Sequence, residues 1–239
     1  MKTTLAAALL AGALSLAPLP ARSLALGQVD TFQGGTTLNW QINLLGLGGS
    51  AVPPGVVASG GPAGAGDAYL QLTSLGGSGN TPGGRLTALN AAHWAGNYGA
   101  LGITAIEMDL QNLGSSDLAI RLLFENAAGG PPTAVAITDA ILLPAGSGWT
   151  HAVFAIDASS LTALLGSVAD VLASTTILRI FHGPSEAFPG PPLVSQLGVD
   201  NILAAVRSPG NAVPEPPTLA LLAFALLALR RARRRRIAA

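Results

Sequence analysis

The sequence predicts an all-β chain, a two-sheet β-sandwich carrying one short helix. Short segments recur in which apolar and polar residues alternate, as Ile106, Met108 and Leu110 do with Glu107 and Asp109. A period of two turns one side of a strand to a core and the other to water. Between these segments, 30 Gly and 17 Pro gather in clusters such as 60–66, 76–84 and 184–192. Turns draw on these residues because glycine accepts positive φ and proline fixes φ. No repeat of roughly 20 to 50 residues is visible, which argues against a propeller or solenoid. The absence of cysteine excludes a disulfide framework and a cysteine-ligated zinc module.

Residues 1–25 open with Lys2, continue as an apolar stretch from Leu5 to Leu16, and break at Pro18 and Pro20 before Ser23-Leu24-Ala25. A basic start, an apolar run and small residues at a break are the parts of a secretory signal peptide. Cleavage is expected after Ala25, by signal peptidase after passage through the Sec translocon. The mature domain is expected over 26–208. Its strands are expected at Gln28–Phe32, Ala68–Leu72, Arg85–Leu89, Ile103–Leu110, Leu118–Glu125, Val135–Ile137, Thr150–Ile156, Ile177–Phe181 and Val199–Leu203. In the segment from Leu118, the alternation sets Arg121 and Glu125 on the solvent side. A helix is expected over Ser159–Ser174, capped by Ser159 or Ser160, whose hydroxyls suit an N-cap.

Charge separates the chain into unlike pieces. It carries 12 basic and 12 acidic residues, with charged residues only 10% and apolar residues 49% of the total, which excludes a disordered polyelectrolyte. Between Leu26 and Val213 there are four arginines against eleven acids, a net −7. Half of the basic residues, Arg230, Arg231, Arg233, Arg234, Arg235 and Arg236, sit in the last ten positions. The acidic domain is a poor match for nucleic acid. In residues 209–239, Val213-Pro214-Glu215-Pro216-Pro217 precedes an apolar helix over 218–229 and then this arginine cluster at 230–236. Twelve helical residues cover about 18 Å, short of a hydrocarbon core of about 30 Å. The arginines mark the cytoplasmic side by the positive-inside rule and act as a stop-transfer signal.

The motif Val213-Pro214-Glu215-Pro216, the short Leu/Ala helix and the terminal arginines resemble the PEP-CTERM sorting signal of exported bacterial proteins; Pro217 departs from the Ala or Ser common there. The resemblance implies recognition by an exosortase, a transient stay in the inner membrane, and delivery to the cell surface or an extracellular, exopolysaccharide-containing biofilm matrix. Within the domain, Val29-Asp30-Thr31-Phe32, Leu38-Asn39-Trp40, Gly148-Trp149-Thr150-His151-Ala152-Val153-Phe154 and Gly198-Val199-Asp200-Asn201-Ile202 resemble galactose-binding-like jelly rolls, the fold of many carbohydrate-binding modules. That likeness implies polysaccharide as a partner and a structural calcium ion between first and last strands, with Asp30 and Asp200 as candidate ligands. No cofactor is required otherwise.

Three functions compete. The primary expectation is a non-enzymatic matrix protein; the alternatives are a carbohydrate-binding module and a glycoside hydrolase. Trp94 and Tyr98, in the loop-like stretch His93-Trp94-Ala95-Gly96-Asn97-Tyr98, are the candidate sugar platform, since aromatic rings stack on sugars. For hydrolysis, Glu107 and Asp109 stand two residues apart on one strand face, about 6.5 to 7 Å, a separation compatible with paired carboxylates. His93, His151 and His182 have no metal-ligand spacing, and neither a nucleophile elbow nor a phosphate loop is present.

Overall fold

The computed structural model describes residues 23–42, 52–77, 84–127 and 129–207. The sorting motif, apolar helix and arginine cluster, and all but the last three residues of the expected signal peptide, lie outside the described residues. Among those described, no helix is long and apolar enough to cross a membrane.

Two antiparallel sheets form the sandwich. Sheet A has the order β2 (Val52–Val57), β3 (Tyr69–Leu75), β12 (Val194–Ala205), β5 (Ala105–Asn112), β9 (Thr150–Ala155), and β1 (Val29–Asp30) also pairs with β12. Sheet B has the order β10 (Thr162–Leu165), β7 (Ala134–Ile137), β6 (Leu118–Asn126), β11 (Ile177–His182), β4 (Thr87–Asn90), with β8 (Ile141–Leu143) on β6. The inner faces supply one core that includes Leu70, Leu72, Ile106, Met108, Leu110, Ile120, Leu122, Phe124, Leu197 and Val199, all buried. In β5 the buried positions alternate as the sequence pattern requires, with Glu107, Asp109 and Gln111 turned outward.

Sheet B departs from that pattern. Arg121 and Glu125, expected toward solvent, are buried, because the chain between β11 and β12 folds back across the outer face. Arg121 donates through Nε to Gly183 O at 2.8 Å and through Nη1 to Thr138 O. Glu125 is paired with buried Arg179, which lies under the Phe188 ring at 5.5 Å. Phe188 in turn packs edge-on against Phe181 at 5.3 Å. The approach is close enough to demand glycine: a Cβ on Gly190 would sit 1.8 Å from His182 O.

The expected helix over Ser159–Ser174 is corrected to α1 (Val168–Ala173), and its cap is Ser167, whose Oγ accepts from Asp170 N at 3.1 Å. The first half of the expected helix is β10, paired with β7 from Thr162↔Ile137. Strands β2, β8 and β10 escape the sequence pattern. β2 tolerates Pro53 and Pro54 because it is an edge strand whose pairing with β3 slips between Val52 and Gly55, so the prolines fall in the irregularity and leave the ladder unbroken.

Candidate functional site

The outer face of sheet A carries the candidate site. Register places Gln71 of β3, Gly198 of β12 and Gln111 of β5 in one row across the sheet. Gly198 leaves a low floor in the middle of that row, and Trp149 lies over it: a Cβ at Gly198 would come 3.0 Å from Trp149 Cη2 and 3.3 Å from Tyr69 Cε2. The two rings meet edge to face at 5.2 Å. Trp149 is half-buried, so part of its ring faces solvent, whereas Tyr69 is buried beneath it.

The glycine-rich loop 60–67 fixes the indole. Trp149 Nε1 donates to Gly60 O at 2.9 Å. The loop itself is closed by Gly60 N to Gly64 O at 3.0 Å and Gly61 N to Asp67 O at 2.9 Å. The Asp67 carboxylate accepts from Ala63 N at 2.7 Å and from the Gln33 side chain. A glycine-rich segment that reads as a loop is therefore a folded bracket for an aromatic ring.

Beside the ring lies an acidic cluster. His151 of β9 stands opposite Asp109 of β5, with Nδ1 3.1 Å from Asp109 Oδ1 and Nε2 3.4 Å from Glu107 Oε2. Asn201 Nδ2 donates to Asp109 Oδ2 at 2.7 Å. Asn201 takes a φ of 52° where the β12 register slips against β5, a β-bulge that re-aims its side chain. Asp200, in register with Asp109, is fully buried. Its Oδ1 accepts from Asn201 N at 2.8 Å, while Oδ2 has no hydrogen-bond partner. Burial first, then the charges of Asp67 and Asp109, push its carboxyl up to about 7, against the opposing hydrogen bond from Asn201.

Trp94 and Tyr98 do not form a sugar platform. Both are completely buried. Trp94 Nε1 donates to Asp30 Oδ2 at 2.8 Å, as does Trp40 Nε1 at 3.0 Å, and Tyr98 packs edge-on against Phe124 at 5.3 Å. These aromatics are core, organised around a buried carboxylate. The expected calcium pair also separates. Asp30 is paired with core residue Ile202 and serves two indoles, while Asp200 lies in register with outward-facing Asp109. Among the described residues, no group of three or more His, Asp or Glu could hold a metal ion. The pair does not fit calcium.

Trp149 belongs to the segment that carries the jelly-roll likeness, yet the sequence reading did not single it out as the exposed aromatic. The signal was available: Trp149 precedes a strand in which His151 and Val153 point outward, so parity puts all three on one face.

The fold and this face define a class, the antiparallel jelly-roll sandwich with a polar, aromatic-bearing sheet surface. No family model matches the sequence, and no curated protein matches it. Among solved structures, the chain is similar to an exo-β-agarase, with TM-score 0.52, 11% identity and 79% of this chain covered. It spans about a quarter of that enzyme, 26% of its length. It is also similar to a family 11 carbohydrate-binding module from Clostridium thermocellum in complex with a β-1,3-1,4-mixed-linked tetrasaccharide, with TM-score 0.49, 15% identity, and 77% of this chain and 99% of that one covered. A third is CBM27-1 from Caldicellulosiruptor saccharolyticus in complex with mannohexaose, at TM-score 0.45 and 12% identity, covering 76% of this chain and 97% of that one.

Proposed function

We propose that the protein is an exported polysaccharide-binding protein that holds sugar on the outer face of sheet A. The observation that carries this is the half-buried Trp149, braced by Tyr69 and the 60–67 loop and neighboured by outward-facing Gln71, Gln111 and Asp109. A braced indole offers a sugar an apolar face at little entropic cost, and amides and carboxylates beside it accept and donate hydrogen bonds to hydroxyls. The PEP-CTERM-like tail supports delivery by an exosortase to the surface or an exopolysaccharide matrix, where such binding would retain the mature domain.

The function is proposed as non-enzymatic. A glycoside hydrolase needs a protonated acid beside the glycosidic oxygen. Asp200, the carboxyl pushed up to about 7, is buried, and Glu107 and Asp109 are both engaged by His151.

Affinity electrophoresis through gels containing agarose, β-1,3-1,4-glucan or mannan tests the proposal. Retardation in at least one gel, lost in Trp149→Ala and kept in Glu107→Gln, is the expected result. Free migration in every gel would overturn it, and release of reducing sugar abolished by Glu107→Gln would replace binding with hydrolysis.

A further inference from the structure

We propose that signal peptidase cuts the precursor between Ser23 and Leu24, so that the mature chain begins with a core residue. This rests on the export proposed above. Small residues three and one positions before a break define two candidate sites, Ala21-Arg22-Ser23 and Ser23-Leu24-Ala25. The sequence pattern favours the second, after Ala25; the folded domain favours the first, because it uses Leu24. Leu24 is 5% exposed and belongs to the main core cluster, whereas Ser23, Ala25 and Leu26 are exposed.

Leu24 fills a place made for it. A Cβ on Gly96 would lie 2.8 Å from Leu24 Cβ and 3.1 Å from Leu24 Cδ2, so the absence of a side chain at Gly96 admits the leucine. Gly96 is itself held to Thr175 by a reciprocal pair, Gly96 N to Thr175 O at 2.8 Å and Thr175 N to Gly96 O at 3.1 Å. The turn that aims Leu24 inward is closed by Gln28 N to Ala25 O at 3.1 Å and anchored by Gly27 N to Ala204 O at 2.8 Å. Gln28 Nε2 adds a bond to His93 O at 3.0 Å, on the chain leading to Gly96. A cut after Ala25 would discard the side chain over Gly96 and the carbonyl that closes the turn.

Hydrolysis of the Ser23–Leu24 peptide bond consumes one water, leaving a carboxylate on Ser23 and an ammonium on Leu24. The ammonium takes the place of the link to Ser23, which is exposed. The cut precedes folding, when Leu24 is still free of Gly96.

The test is intact mass with N-terminal sequencing of the protein secreted from the full precursor. A first residue of Leu24 is expected. A product lighter by one Leu and one Ala, starting at Leu26, would overturn the proposal and leave export standing. A cell-retained chain with the leader intact would overturn export itself. As a second readout, Leu24→Ala in the full precursor should keep the same cut and lower the Tm of the secreted product by about 5 to 10 °C, as leucine truncation in a core does. An unchanged Tm would refute the contribution of Leu24 to the mature domain on which the proposal rests.

Discussion

Asp200→Asn should make the protein more stable at alkaline pH and leave it nearly unchanged at acid pH. Burial, with Asp67 and Asp109 facing the group, raises its carboxyl to about 7, against about 3.9 for a free aspartate. Between these values the folded chain keeps a proton that the unfolded chain has released. Stability therefore falls as pH rises from about 4 to about 7 and levels off above. A gap of about 3 units corresponds to about 4 kcal/mol at pH 8, or about 10 °C in Tm for a domain of this size. The amide substitute carries no charge, keeps an oxygen for Asn201 N, and turns its NH2 toward acids that accept. Buried His182 works in the opposite sense: burial lowers its value while Nδ1 accepts from Ala119 N at 3.0 Å, so its contribution is lost as pH falls. It is common to both proteins and cancels in their difference. Melting curves of wild type and D200N at pH 5 and pH 8, with chelator present, measure the effect. A Tm difference equal at the two pH values, or a variant less stable at pH 8, would refute the placement of a protonated carboxyl there.

Three further outcomes follow from the geometry. Gly198→Ala should displace the Trp149 ring and weaken polysaccharide retardation at least several-fold while Tm changes little; retained binding would separate Trp149 from the site. Trp94→Ala should cost about 3 to 5 kcal/mol in denaturant unfolding, since it empties a core position and removes a donor from buried Asp30; a loss below about 1 kcal/mol would contradict its core role. Millimolar calcium should leave Tm unchanged relative to chelator, because Asp30 and Asp200 do not share a site; a rise abolished by Asp200→Asn would establish a cation site at Asp200.

The sandwich was legible because its central strands β5 and β3 carry buried and outward residues in alternation, whereas β12 breaks the pattern from Leu197 to Asp200, which are buried in succession. The edges were not. β2 contains two prolines, and β10 lies within the span Ser159–Ser174 that reads as a serine-capped helix, yet pairing with β7 decides its conformation. Arg121 and Glu125 were misplaced because alternation speaks only of the strand, while burial of an outer face depends on where a distant segment, 183–190, folds. The same limit explains the aromatics. Trp94 and Tyr98 sit among Gly and Asn that look like an exposed loop, and only the tertiary partners Asp30 and Phe124 show them to be core. Trp149 gained its bracket from residues 60–67, whose glycine content hides an ordered turn.

Quenching of tryptophan fluorescence by acrylamide addresses sugar binding at Trp149 most directly. Of the three tryptophans, Trp40 and Trp94 are 1% and 0% exposed, leaving Trp149 as the accessible one. Saturation with the polysaccharide that retards the protein should remove most of the quenchable signal, and Trp149→Phe should abolish the protection. Undiminished quenching of Trp149 in the bound protein would place the sugar elsewhere and contradict the site.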